Sequence, residues 1–145
     1  MITVHYRRKA QFYETDGMGV IHHTNYIRWF EEARSDFMEQ IGFNYRRCMD
    51  LGVDIVLLGV QCEYKSMVRF ADVVDIESCI ARYSETRMTV RYKITDAETG
   101  RLCTLGETKH CFLSREKGHP LSIKRAIPEL YEAFLPYTDD AASPR

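Results

Sequence analysis

The spacing of apolar residues divides the first part of the chain into a strand and a long helix. In residues 2–13, Ile2, Val4 and Tyr6 alternate with polar neighbours, which is the period-two pattern of a half-buried strand. From Asn25 onward apolar residues recur every three or four positions, and charged residues occupy the other sides. This second pattern predicts an amphipathic helix that ends at Gly42, a residue suited to the left-handed conformation that follows many helices.

The connection between strand and helix contains small and capping residues. Gly17 and Gly19 interrupt the strand pattern, as a tight turn would. Thr24 or Asn25 is predicted to cap the helix, because either side-chain oxygen can accept a hydrogen bond from a free backbone N–H. The sequence therefore predicts a strand, a turn and a capped helix over its first forty-two positions.

Four more strand-like segments follow, and a short helix comes after them. The strands are predicted over 53–65, 72–84, 88–96 and 101–116. The first is apolar almost throughout, so we expect it in the middle of a sheet. Gly100 fits a hairpin turn at 97–100 because glycine readily takes a positive φ. Pro128 suits the first turn of a helix over 126–134.

This order of elements predicts an α+β fold. The apolar face of the long helix must be covered, and an antiparallel sheet of about five strands wrapped around one long central helix covers it economically. The chain length of 145 residues suits one domain. We expect that domain over residues 1–137 and a flexible tail over residues 138–145.

Composition and charge exclude several classes of function. Lys and Arg number 20 against 21 Asp and Glu, a net charge of -1 that does not favour a nucleic-acid partner. No apolar run approaches the ~20 residues of a membrane span. The five cysteines form no C-x-x-C pair, so their spacing predicts neither a zinc site nor a redox motif. The polar start of the chain and the odd cysteine count favour a cytoplasmic protein.

Candidate chemistry concentrates in the turn before the long helix. Asp16 lies just before the helix, and His22 and His23 lie at its start. Free N–H groups of a first helical turn can polarise a carbonyl oxygen, and a nearby carboxylate can attack the carbonyl carbon or activate water. The same residues also fit an ordinary strand–turn–helix connection with capping or core histidines. No metal is expected, because adjacent histidines diverge and ligate one ion poorly.

The stretch "YETDGMGVIHHTNYIRWFEEAR" resembles the signature of the 4-hydroxybenzoyl-CoA thioesterase / YbgC branch of the hotdog-fold acyl-CoA thioesterases. That signature combines an acid, Thr-Asp, a small-residue turn ending in Gly-Val and a His-x-Asn-Tyr helix start. The matching positions are Asp16, Gly19, Val20, His23, Asn25 and Tyr26. The stretch "CEYKSMVRFADVVDI" is similar more loosely, and the order of segments resembles the hotdog fold along nearly the whole chain.

The resemblance implies roles for the matching residues. Asp16 would be the catalytic carboxylate, either as a nucleophile or as a general base for water. The backbone N–H of His23 would polarise the thioester carbonyl, and the His23 side chain would help to orient water or Asp16. Gly19 and Val20 would shape the approach to the thioester. Other predicted contacts of the substrate are Tyr13, His22, Tyr26 and Trp29.

The resemblance also implies a substrate and an assembly. The substrate would be an acyl-CoA or an acyl group on an acyl carrier protein, with coenzyme A entering only as part of the substrate and no separate cofactor. Lys65 and Arg69 are candidates for the phosphates of coenzyme A, and Lys124 and Arg125 are equal to them on charge alone. The site would lie at the interface of a homodimer, within a dimer or a homotetramer.

Three positions depart from the family pattern, and two alternatives for the function stay open. His22 and Phe12 replace residues that are aromatic or tyrosine in many relatives, and Met67 replaces a common proline. Glu31 and Glu32 rival Asp16, because another hotdog branch uses a carboxylate on the central helix. The predicted activity is acyl-CoA thioester hydrolysis. The alternatives are a hotdog 3-hydroxyacyl dehydratase or hydratase and a non-catalytic acyl-binding or acyl-carrier-protein partner.

Overall fold

A computed structural model describes residues 2–139 as one curved antiparallel sheet around a central helix. The five strands lie in the order β1-β3-β4-β5-β2, and each neighbouring pair is antiparallel. Their bounds are β1 Val4–Lys9, β2 Val53–Tyr64, β3 Val73–Tyr83, β4 Arg87–Asp96 and β5 Leu102–Ser114. The predicted α+β hotdog architecture is confirmed.

Four helices accompany the sheet: α1 Asn25–Gln40, α2 Tyr45–Asp50, α3 Ile123–Ala126 and α4 Pro128–Phe134. Gly42 follows α1 with a φ of 82°, and Gly100 takes a φ of 77° in the β4–β5 hairpin, as the sequence predicts. Pro128 is the first residue of α4, also as predicted. None of the helices within residues 2–139 is long and apolar enough to cross a membrane.

Close packing of α1 on the sheet depends on one glycine. Gly106 of β5 lies under Phe30, and a Cβ at position 106 would overlap the Phe30 ring. Phe30 is fully buried and stacks on Tyr92 of β4 with ring centroids 4.4 Å apart. The missing side chain at Gly106 therefore lets the helix sit directly on the sheet, which holds the start of α1 in place above it.

The predicted central position of the segment 53–65 is wrong. β2 pairs only with β5 among the described strands, so it forms an edge of the sheet. Leu57, Leu58 and Val60 are between 38% and 52% exposed. The apolar run suggested burial, but the single chain leaves much of its side-chain surface uncovered.

One further expectation needs correction. Thr24 makes no side-chain cap, and the Asn25 side chain instead donates to the Glu14 carbonyl oxygen over 2.8 Å. The boundary between the domain and a tail over residues 138–145 stays a prediction; within that tail, the Asp139 N–H donates to the Ile80 carbonyl oxygen of β3 over 2.8 Å. Residues 140–145 of that tail lie outside the described residues.

Candidate active site

Asp16 sits in a closed turn that leads into α1. Its backbone N–H donates to the Val20 carbonyl oxygen over 2.8 Å, and its carbonyl oxygen accepts the Gly19 N–H over 3.2 Å. Gly19 adopts a φ of 77°, which a residue with a side chain rarely takes. The Asp16 Oδ1 accepts the Met18 N–H over 2.7 Å. The turn thus fixes the carboxylate through its own backbone while the side chain stays partly open to solvent.

The backbone N–H groups at the start of α1 differ in their hydrogen bonds. The N–H of Thr24 donates to the His22 Nδ1 over 3.2 Å, and the N–H of Asn25 donates to the His22 carbonyl oxygen over 3.0 Å. The N–H of His23, which lies between His22 and Thr24 in the chain, has no acceptor among residues 2–139. A free N–H at a helix start carries a partial positive charge and suits a developing oxyanion.

The two histidine side chains lie side by side before α1. Their rings stack with centroids 4.2 Å apart, and the His22 Nδ1 lies 2.8 Å from the Thr24 Oγ1. The His23 ring is exposed. Within the described chain, no group of three His, Cys, Asp or Glu side chains is placed to hold a metal ion.

Two tyrosines form the wall beside this helix start. The Tyr64 hydroxyl at the end of β2 donates to the His23 carbonyl oxygen over 2.8 Å, which joins the strand to the helix start. Tyr26 packs edge-on against Tyr64 with ring centroids 5.1 Å apart. Burial raises the pKa of Tyr26 to about 12, against a smaller opposing effect of the Val68 N–H. Tyr26 is therefore neutral at physiological pH.

These elements enclose a cleft of about 310 Å³. It brings together the predicted residues Asp16, Val20, His23, Tyr26 and Lys65. Sequence reasoning missed four other lining residues, which are Ile21, Tyr64, Ser66 and Met67. Ile21 lies inside the quoted helix-start signature but was not singled out there. The segment of the other three was noticed only for its loose resemblance, and no local pattern indicated that it would meet the helix start.

Four predicted substrate residues do not line the cleft of the single chain, and Gly19 of the Asp16 turn is one of them. Trp29 is fully buried, and its Nε1 donates to the Glu14 Oε2 over 2.8 Å, so it belongs to the core rather than to the cleft wall. Tyr13 is 79% exposed and does not line the cleft. His22 also stays outside it and serves the helix start through its hydrogen bonds.

The candidate cations differ in their surroundings. Lys65 lines the cleft and pairs with Glu63 over 2.7 Å. The Arg69 side chain is exposed and has no ion-pair partner among the described residues. The Lys124 Nζ lies 5.5 Å from the centre of the Tyr131 ring, and Lys124 does not line the cleft.

The rival carboxylates on α1 do not line the cleft. Glu31 is exposed. Glu32 accepts hydrogen bonds from the Tyr6 hydroxyl over 3.0 Å and from the Arg8 Nε over 2.8 Å. Glu32 thus joins α1 to β1, which is a structural role.

The family model described as "Thioesterase-like superfamily" matches residues 10–134. A solved DHNA-CoA thioesterase from Staphylococcus aureus is 31% identical, with a TM-score of 0.87, over 94% of this chain and 91% of that chain. A solved hypothetical protein from Aquifex aeolicus is 36% identical, with a TM-score of 0.82, over 90% of this chain and 98% of that chain.

A sequence comparison gives a third relative, the acyl-CoA thioester hydrolase YbgC of Escherichia coli O157:H7. It is 27% identical over 90 residues, which are 62% of this chain and 67% of that protein. The similarity to the 4-hydroxybenzoyl-CoA branch in particular stays a prediction. The predicted enzyme class, a thioester hydrolase, is confirmed at the level of the family. The chain belongs to the thioesterase-like superfamily and has its hotdog fold.

Proposed function

We propose that this protein hydrolyses an acyl-CoA thioester to a free acid and coenzyme A in the cleft beside Asp16. The observation that carries the proposal is the pairing of two groups in one cleft wall. A carboxylate held by its own turn, Asp16, lines the same cleft as His23, whose N–H has no acceptor among residues 2–139. Thioester hydrolysis needs both kinds of group.

Each group has a defined part in the proposed reaction. The thioester carbonyl oxygen would accept the His23 N–H, and the helix dipole of α1 would stabilise the negative charge that develops on this oxygen. Asp16 would either take a proton from the attacking water or attack the carbonyl carbon itself, giving a mixed anhydride that water then cleaves. The C–S bond breaks, and the thiolate takes up a proton to give coenzyme A.

Aromatic acyl groups are our first candidates for the substrate. Tyr26 and Tyr64 present aromatic surface to the cleft, and Val20 and Met67 add apolar surface. Aromatic rings attract one another in offset-stacked or edge-on geometry, so ring surface in the cleft suits an aromatic acyl group. The name of the Staphylococcus aureus relative, a DHNA-CoA thioesterase, supports the same choice.

The test is thiol release from a panel of aromatic, short-chain and long-chain acyl-CoAs, with wild type beside Asp16→Asn. We expect release by the wild type and its loss in the variant. Unchanged release in Asp16→Asn would contradict the role of Asp16. A change in enoyl absorbance without thiol release would favour the dehydratase or hydratase, and binding without turnover would favour an acyl-binding protein.

We also infer that the active form is a homodimer joined through β2. This strand is an edge with half-exposed apolar side chains, including Leu57, Leu58 and Val60, and such an edge readily pairs with another strand. Light scattering should therefore give a mass of at least twice 17.0 kDa. A mass of 17.0 kDa at the concentrations where activity is measured would contradict the dimer.

A further inference from the structure

Glu14 is a buried carboxylate two residues before Asp16. It is only 4% exposed, and three donors from different parts of the chain surround its side chain. Its Oε1 accepts from the Arg8 guanidinium of β1 and from the Gln11 N–H, the latter over 2.9 Å. Its Oε2 accepts from the Trp29 Nε1 of α1 over 2.8 Å. Glu14 therefore connects β1, the turn and α1 at one point.

These contacts form a closed triangle. The Arg8 guanidinium lies 4.8 Å from the centre of the Trp29 ring while it also pairs with Glu14. Burial alone would raise the pKa of Glu14, but hydrogen bonds from Gln11, Trp29 and Arg8 together hold that pKa below its ordinary value. The carboxylate is thus ionised at neutral pH, and each of its oxygens has a partner.

The backbone of Glu14 closes the base of the Asp16 turn. Its carbonyl oxygen accepts the His22 N–H and the Asn25 side-chain N–H, each over 2.8 Å. Thr15 and Ile21, the neighbours of Glu14 and His22 in the chain, form an isolated antiparallel β-bridge. Asp16 lies on one side of that closure and His23 on the other. The distance between the carboxylate and the free N–H therefore depends on how firmly Glu14 is held.

We propose that Glu14, held by Arg8 and Trp29, is a positioning residue that sets Asp16 against the His23 N–H. The inference rests on the proposed function of the cleft. Glu14 touches no substrate in this role and acts through the turn that it anchors. Loss of an anchor would leave the fold and the cleft in place but would let the two reacting groups drift apart.

Trp29→Phe and Glu14→Gln are the informative variants. Trp29→Phe keeps an aromatic ring in the core but removes the hydrogen bond to the Glu14 Oε2, together with part of the ring surface that packs on Arg8. Glu32→Gln is the matched control. Glu32 is also a carboxylate bound by Arg8, but it makes no contact with the turn that carries Asp16.

The experiment measures kcat, KM and thermal unfolding for these three variants on the best acyl-CoA of the panel. We expect kcat to fall about 10- to 100-fold in Trp29→Phe and Glu14→Gln, since a misplacement of about 1 Å can cost about 100-fold in rate. KM should change less than about threefold, because substrate contacts remain. Glu32→Gln should keep kcat within about twofold of wild type, even if its unfolding temperature falls by as much as that of the other two variants.

Amide hydrogen exchange supplies a readout that does not depend on turnover. Exchange should accelerate at residues 14–23 in Trp29→Phe and not in Glu32→Gln. The proposal is overturned if folded Trp29→Phe keeps wild-type kcat and exchange, or if Glu32→Gln loses kcat equally. A wild type that releases no thiol from any substrate overturns the proposed function instead, and the exchange comparison then still decides whether Glu14 anchors the turn. If Glu14→Gln does not fold, Trp29→Phe decides the question.

Discussion

The cleft around Asp16 and a second group of polar side chains, in the core, differ in how their polar atoms are hydrogen-bonded. The second group, here named the His110 cluster, consists of Arg34, Tyr92, Thr108 and His110. The Tyr92 hydroxyl accepts from the Arg34 guanidinium over 3.1 Å and lies 2.7 Å from the Thr108 Oγ1. The His110 Nε2 lies 2.7 Å from that same oxygen. These contacts occupy the Tyr92 and Thr108 hydroxyls and the His110 Nε2, whereas the buried His110 Nδ1 has no hydrogen-bond partner among the described residues.

The cleft contains hydrogen-bonding groups that the described chain does not fully use. Asp16 receives a single N–H from its own turn, and the His23 N–H has no acceptor among residues 2–139. A buried polar network that satisfies itself stabilises a fold, whereas groups left partly unsatisfied beside solvent are available to a ligand. The difference teaches that the number of histidines in a region says less about function than the number of unused donors and acceptors that a ligand can reach from solvent. Substitutions at His110 and at Tyr92 test this difference between the cleft and the His110 cluster.

The largest effect on stability should come from the pH dependence of His110. Burial above all, and then the positive charge of nearby Arg34, lower the pKa of His110 to about 4. The unfolded chain takes up this proton near a pKa of about 6.5. Between those values the unfolded state binds more protons, so the free energy of unfolding decreases as the pH falls, by up to about 3 kcal/mol.

Denaturant unfolding of wild type and His110→Gln at several pH values between 7.5 and 4 checks this prediction. The difference between the two curves should be flat above the ordinary histidine pKa and should change steadily below it. A difference that stays constant over the whole range would mean that His110 takes up its proton without resistance in the folded protein.

A smaller effect should follow from Tyr92→Phe. The substitution leaves the Arg34 guanidinium and the Thr108 hydroxyl without their shared partner inside the core. We expect a loss of about 1–3 kcal/mol in the free energy of unfolding. Turnover should stay within about twofold of wild type, since an intact active site loses no transition-state contact. Tyr83→Phe, which removes a hydroxyl bonded to the Tyr131 carbonyl oxygen, is a matched control for the lost hydroxyl.

Much of the fold could be predicted because its elements carry local patterns. Alternation identified the strands, helical spacing identified α1, and Gly42 and Gly100 took the positive φ values that their positions suggested. The place of β2 was missed for a physical reason. An apolar run looks the same whether its own sheet or a second copy of the chain covers it, so sequence alone cannot separate a central strand from an edge.

The candidate site was predictable where residues adjoin and unpredictable where distant segments meet. Asp16, His23 and Val20 lie in one continuous stretch, and the resemblance named all three. Tyr64 reaches the His23 carbonyl oxygen from a strand 41 positions further along the chain. Trp29 was predicted at the acyl pocket although a large aromatic at helical spacing is more often core. Its true partner, Glu14, looks in the sequence like one more exposed acid.

The most direct test pairs turnover and stability in Asp16→Asn. General acid–base or nucleophilic groups contribute about 100- to 10,000-fold, so kcat for thiol release should fall by a factor in that range. The unfolding temperature should stay close to that of wild type, because the side chain is partly exposed and an amide oxygen can still accept the Met18 N–H. A folded Asp16→Asn protein that releases thiol at the wild-type rate would contradict the role assigned to this carboxylate.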